Sequence, residues 1–185
     1  MDKFNLIKKE IDSITKKAPI PIEYKHSQSI LKILLKLNPK ADISLKIAAL
    51  GHDIDRSIPE LRIKPKGFKD YNKYKKQHSI RSAEIIVNLM ESMAFKKEII
   101  EKTKFLIENH EVGGETDVET LKEADSISFF QDNLEYYKKK YPDYFKDKVE
   151  FMYKRLSSKA REIVLKLKIK NKEIEKEVKD IISKL

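Results

Sequence analysis

The stretch Ala48-Ala49-Leu50-Gly51-His52-Asp53-Ile54-Asp55-Arg56 decides how this chain reads. An apolar run ends at a glycine, and two strong metal-binding side chains then stand side by side. A carboxylate taken into an apolar setting without a partner costs on the order of several kcal/mol or more. A cation is the simplest compensation, and a cation needs further ligands. Gly51 has no side chain, so the backbone there approaches a neighbour or a ligand closely.

Other ligand types recur on apolar stripes of helical spacing. The 185-residue chain has four histidines, His26, His52, His78 and His110. His26 shares a face with Ile30, Ile33 and Leu37, and His78 with Ser82, Ile85, Ile86 and Leu89. His110 follows Ile99, Ile100, Leu106 and Ile107, and Asp125 stands between Val118 and Leu121 on one side and Phe129 on the other. Any one of these reads equally as a core side chain satisfied by a backbone carbonyl. Together they read as ligands, because buried polar groups are uncommon and need partners. One shared cation serves them all.

The order His…His-Asp…His…His…Asp is met here as His26, His52-Asp53, His78, His110 and Asp125, in the contexts AALGHDIDR, HSIRSAEI, IENHE and LKEADSISFF. This resembles the HD-domain superfamily of metal-dependent phosphohydrolases, over roughly residues 22–135. The resemblance implies an all-α, HD-domain-like helical bundle with the metal site in its centre. It implies that His26, His52, Asp53 and Asp125 hold a first metal. His78 and His110 match the second-metal positions of the two-metal members, with Asp53 bridging; in one-metal members they line the pocket and contact phosphate. The chain departs from two branches of the superfamily. Where the (p)ppGpp hydrolases carry an acidic pair after the His-Asp, it has Ile54-Asp55-Arg56, and it lacks the GYP extension of the cyclic-dinucleotide phosphodiesterases. Neither specificity is implied.

The donors are imidazole and carboxylate with no sulfur, since there is no cysteine. That set suits Mn, Fe, Co, Ni or Zn, and Mg less well, as one or two ions per chain. The expected activity is hydrolysis of a phosphoester, mono- or diester, by a metal-activated water. The expected substrate is a nucleotide or another small phosphorylated compound. Asp53, Arg56, Arg81 and Glu111 are the catalytic candidates. Arg81 lies three residues after His78, and Arg56 three after Asp53, so each shares its neighbour's face. Each directs a guanidinium at phosphate, or pairs with a carboxylate such as Asp55 or Glu84. Glu111 or Asp55 is the candidate proton carrier. Two other classes stay open: a di-iron oxygenase of the HD fold, and a non-catalytic HD protein that binds nucleotide or nucleic acid.

Composition narrows the field further. The absence of cysteine removes disulfides, thiolate zinc sites and cysteine nucleophiles. No apolar run is long enough to span a membrane, and the amphipathic first 17 residues lack a signal-peptide core. A cytoplasmic location, as monomer or homodimer, is expected. The net charge of +10 comes from 40 Lys+Arg against 30 Asp+Glu, intermixed as solvated helix faces usually are. One local cluster stands apart. RIKPKGFKDYNKYKK, residues 62–76, sets seven basic residues against Asp70, interleaved with Phe68, Tyr71 and Tyr74, and runs directly into His78. A basic, aromatic loop in that position reads as a phosphate or base contact, or as a solvated loop.

One domain, residues 1–185, is expected, with an N-terminal helix and a C-terminal helical extension around the core. The periodicity predicts helices over 2–17, 22–38, 41–54, 70–93 and 96–110, then one opening at a Thr116–Glu119 capping box and running to about 139. Pro19, Pro21 and Asn38-Pro39 mark the first breaks, and 55–70 reads as irregular, with a short capping-box pattern from Ser57 to Glu60. The aromatic cluster of 129–153 reads as core. The tail, 158–185, reads as a terminal helix or a dimer contact, with Ile174, Val178, Ile181, Ile182 and Leu185 as its stripe.

Overall fold

The computed structural model describes residues 2–61 and 71–185. Among these the chain is all-α, with no strand. Arg62, Lys64, Lys66, Phe68, Lys69 and Asp70 of the basic, aromatic stretch lie outside the described residues. The chain divides into two compact units, Met1–Lys122 and Glu123–Leu185.

In the first unit, α1 (Lys3–Lys16), α2 (Ile22–Leu37) and α3 (Ile43–Gly51) are followed by 3-10 turns at Ile54–Ser57 and Pro59–Leu61. Then come α4 (Tyr71–Ser92), α5 (Lys97–Asn109) and the start of α6 (Thr116–Ser128). α3 is the central element, and it packs against α1, α2, α4 and α5. Its composition dictates this. Leu45, Ile47, Ala48, Ala49 and Leu50 are buried around most of its circumference, with Ile43 and Lys46 partly exposed. Asp42 caps its start, accepting a hydrogen bond from the Leu45 amide at 2.9 Å. Ile7 and Ile11 of α1, Ile30 and Leu34 of α2, Ile86 and Met90 of α4, and Leu106 and Ile107 of α5 complete the core.

α3 ends earlier than periodicity predicts. His52 is its C-cap, and Asp53 has left the helix, at φ −113° and ψ 15°. The expected Ser57–Glu60 capping box does not open an α-helix: Pro59–Leu61 is a 3-10 turn, and the buried Ser57 hydroxyl has no hydrogen-bond partner among the described residues. The start of α6 also differs. Thr116 sits inside the first turn, and the Glu119 carboxylate reaches back to accept from the Gly114 amide at 2.8 Å. Gly113 and Gly114 make this possible with φ of 86° and 132°, a region that side chains disfavour.

The second unit holds the end of α6, a π turn at Phe129–Asn133, α7 (Leu134–Lys140), a 3-10 turn at Pro142–Tyr144, α8 (Phe145–Lys154), α9 (Ser158–Leu165) and α10 (Lys172–Ile182). The π turn interrupts what the sequence pattern reads as one helix to about 139. The aromatic cluster is core: Phe129, Phe130, Phe145 and Tyr153 are buried, and the Phe130 ring meets Phe129 and Tyr153 edge-on at 5.4 and 6.4 Å. Tyr144 and Phe151 stay exposed. The tail forms two helices, capped by Ser157 and Asn171, and α10 lays Ile174, Val178 and Ile181 into this unit's core, in contact with α8. None of the described helices is long and apolar enough to cross a membrane.

The neighbour that Gly51 admits is Ile86. A Cβ at position 51 would run into the Ile86 side chain, 2.6 Å from its Cγ1, and Ile86 is fully buried with nowhere to swing. Gly51→Ala is therefore expected to destabilise the protein by about 1–3 kcal/mol through overpacking. Urea unfolding checks this, as a lowered midpoint at unchanged slope.

Candidate metal centre

The first unit brings four histidines and one aspartate to a common point. Asp53 is the hub. Its Oδ1 lies 3.2 Å from His78 Nε2, 3.7 Å from His52 Nε2 and 3.9 Å from His110 Nε2. Its Oδ2 lies 3.7 Å from His26 Nε2. The rings are close together as well. His52 and His110 are 4.8 Å apart between centroids, His78 and His110 5.4 Å, and His26 and His52 5.6 Å. His52, His78 and His110 are essentially inaccessible to solvent, and His26 nearly so.

The backbone aims these rings. A helix leaves its last carbonyls without intrahelical partners, and two helices here satisfy one each with a histidine ring. His52 Nδ1 meets the Ala49 carbonyl at 3.3 Å at the end of α3, and His110 Nδ1 meets the Ile107 carbonyl at 2.7 Å at the end of α5. A carbonyl only accepts, so each Nδ1 carries the proton and each Nε2 keeps its lone pair. Another orphan carbonyl of α3, that of Leu50, accepts from the Ser27 hydroxyl at 2.7 Å. The two helix ends also carry partial negative charge, which favours a cation beside them.

His78 is set by a carboxylate instead. Its Nδ1 lies 3.0 Å from Asp55 Oδ1 and donates to it, so its Nε2 lone pair faces Asp53. Asp55 is almost wholly buried and fully occupied. Arg81 donates to its Oδ2 from Nε at 3.2 Å and from Nη2 at 2.8 Å, and Ser82 donates its hydroxyl to Oδ1 at 3.1 Å. The Ser82 hydroxyl also accepts from the Asp55 amide at 3.3 Å. Tyr74 stacks on the His78 ring at 6.1 Å.

The result is an array of lone pairs facing one another. Asp53 Oδ1 and His78 Nε2 are both buried, and neither has a hydrogen-bond partner among the described residues, although they are 3.2 Å apart. Two acceptors in contact repel, and burying them unsatisfied costs on the order of 1–3 kcal/mol each. A cation between them removes both penalties. Ligand atoms of His52, Asp53 and His110 lie within 4.8 Å of one another, as do those of His78, His110 and Glu111. Beside Asp53, His26 and His52 is a cleft of about 10 Å³, room for roughly one water or ion. By donor chemistry and by these orphaned atoms, the residues fit a divalent metal.

Electrostatics agree. Burial by itself would raise the Asp53 carboxyl, but the charge of the Arg56 guanidinium beside it holds it well below the usual carboxylate range. Burial pushes His110 below its ordinary value, which keeps the ring neutral and able to ligate.

The candidates from the sequence are distributed as follows. His26, His52, Asp53, His78 and His110 converge. Asp125 lies on α6 in the second unit, buried, with Arg155 Nη1 3.5 Å from its Oδ2. Arg56 holds Asp53 Oδ2 at 2.5 Å, and Arg81 is bound to Asp55, one of the two carboxylates its spacing allowed. Glu111 Oε2 lies 3.3 Å from Lys75 Nζ. Tyr74 and Lys75, part of the stretch read as a phosphate or base contact, meet His78 and Glu111, and Ser82, read only as a member of the His78 stripe, donates to Asp55. The signal for these contacts was present, since the three stand four before, three before and four after His78 on one helical face.

Removing the carboxylate behind a ligating imidazole weakens metal binding by about 10- to 100-fold. Asp55→Asn is expected to show a loss of that size in a Co(II) competition titration, with Arg81→Ala showing a smaller loss of the same kind. Arg81→Ala with unaltered metal affinity would mean that the guanidinium does not act through Asp55.

No curated protein and no solved structure matches this chain. One family's sequence pattern does, over residues 5–181, and the chain belongs to that family, described as a domain of unknown function, DUF4202.

Proposed function

We propose that this protein is a metal-dependent phosphohydrolase of the HD type, acting on a nucleotide or another small phosphorylated compound. The observation that carries the reading is the buried contact between Asp53 Oδ1 and His78 Nε2, two acceptors at 3.2 Å with no hydrogen bond between them. Its second support is the order of the ligands along the chain, which resembles the HD superfamily.

His52, His78 and His110 turn their Nε2 atoms toward Asp53, and together with His26 they are the residues that would hold the ion. A divalent cation bound there supplies Lewis-acid activation of a water and of a phosphoryl oxygen. Asp55 fixes the proton of His78 on Nδ1, and Arg81 neutralises Asp55 rather than the substrate. Arg56 keeps Asp53 ionised. Glu111, whose ligand atom lies with those of His78 and His110, is placed to take the proton of the attacking water. In the net reaction the water oxygen bonds to phosphorus, the ester P–O bond breaks, and the alcohol leaves with a proton.

His52→Ala and Asp53→Ala are expected to strip the metal and abolish hydrolysis. The check is elemental analysis of the purified protein, together with a phosphoester panel assayed with Mn, Co, Ni, Mg and Zn. Full metal content in Asp53→Ala, or no turnover of any mono- or diester by the loaded wild type, would defeat the proposal. An iron-loaded, coloured preparation that consumes O₂ would favour an oxygenase instead.

A further inference from the structure

Resting on the phosphohydrolase reading, we propose that Arg56 is the side chain that grips the substrate's phosphoryl group, through the guanidinium edge formed by Nε and Nη2, while its Nη1 stays on Asp53.

Phosphoryl transfer calls for a cation on the oxygens that the metal leaves free. Arg56, Lys75 and Arg81 stand near the imidazoles, and their contacts separate them. Arg81 donates from Nε at 3.2 Å and from Nη2 at 2.8 Å to Asp55 Oδ2, and Asp55 is 2% exposed. Those two nitrogens form the side-on fork with which a guanidinium takes an oxyanion. On Arg81 a buried carboxylate of the protein fills it. Lys75 is enclosed, at 9% exposure, with Glu111 Oε2 3.3 Å from its Nζ.

Arg56 is disposed differently. It meets Asp53 Oδ2 through Nη1, at 2.5 Å, and Nη1 is not part of the side-on fork. Its Nε is buried and has no hydrogen-bond partner among the described residues. A shielded donor without an acceptor is costly, the more so on a charged group. An oxyanion seated on the Nε–Nη2 edge removes that cost. The Arg56 side chain is 34% exposed, against 19% for Arg81, so part of it is open to an incoming molecule.

Position completes the case. The carboxylate that Arg56 holds by Oδ2 is the one whose Oδ1 faces the Nε2 atoms of His78, His52 and His110 at 3.2, 3.7 and 3.9 Å. The guanidinium therefore stands one carboxylate away from the proposed ion. A tetrahedral phosphoryl group with one oxygen on that ion has another to turn toward the fork. The charge-assisted hydrogen bond to Asp53 orients the guanidinium beforehand, so less side-chain freedom is lost when the phosphoryl group arrives.

The experiment saturates the full-length protein with Co(II), measures the affinity of inorganic phosphate by titration calorimetry, and measures Co(II) affinity separately by competition. Arg56→Lys keeps a cation for Asp53 and loses the fork. It is expected to hold Co(II) nearly as tightly as the wild type and to bind phosphate about 10- to 100-fold more weakly, the worth of a hydrogen bond between charged groups. Unchanged phosphate affinity in Arg56→Lys would overturn this inference and leave the metal centre standing. So would a Co(II) affinity that falls in step with that for phosphate, since Arg56 would then act on Asp53 alone, and so would a Co(II)-loaded wild type that binds no phosphate. A wild type that takes up no Co(II) would remove the phosphohydrolase reading and this inference together. If the variant does not fold, labelling of the Co(II)-loaded wild type with phenylglyoxal, read by peptide mass, decides. Phosphate is expected to protect Arg56, and undiminished labelling of Arg56 with phosphate bound would overturn its role.

Discussion

A negatively charged oxygen and a ring of imidazole nitrogens, all turned toward one another in a space that excludes water, is the constraint on which this site depends. Asp53 Oδ1 and His78 Nε2 meet at 3.2 Å with no hydrogen bond. A positive ion satisfies several such groups at once, and so repays the burial of polar atoms that a hydrophobic core would otherwise reject. The packing of the first unit serves the same end. α3 is largely buried among α1, α2, α4 and α5, and its end delivers His52 and Asp53 into the core.

The aiming is done with ordinary parts of a helix. Frayed helix ends are usually finished by water or by capping side chains. Here the ends of α3 and α5 are finished by the rings of His52 and His110, each bonding the carbonyl three residues back. One interaction thereby settles three matters: it satisfies a buried carbonyl, it places the ring proton, and it points the remaining nitrogen at Asp53. His78 sits mid-helix, where no carbonyl is spare, and takes its orientation from Asp55 instead.

Charge is handled locally. Most of the described Lys and Arg residues are exposed, and pairs such as Lys97–Glu101 or Lys166–Glu162 contribute little. The cations that matter turn inward. Arg56, Lys75 and Arg81 each meet one carboxylate near the imidazoles, so the acids there are matched before any ion is added. Composition cannot distinguish these three from the rest, since nothing in a residue count tells which lysine points in.

The all-helical class, the main helix positions and the convergence of the four histidines with Asp53 were legible in the sequence alone. The first two rest on periodicity, a local property of consecutive residues, and the third on the need of several inward-facing ligand types for one shared cation and on the order in which they occur along the chain. The buried run ending at Gly51 already marked α3 as the centre, and the aromatic stretch 129–153 already read as core. The tertiary structure decided what depends on residues far apart in the chain: that Arg81 pairs with Asp55, that Lys75 meets Glu111, and that Ile86 is what Gly51 makes room for. It also decided where helices stop, because His52 leaves α3 when its ring can bond the helix's own carbonyl, and the π turn at Phe129–Asn133 interrupts a pattern that sequence reads as continuous. Periodicity states which side of a helix faces inward; which partner waits there is settled only when another helix arrives beside it.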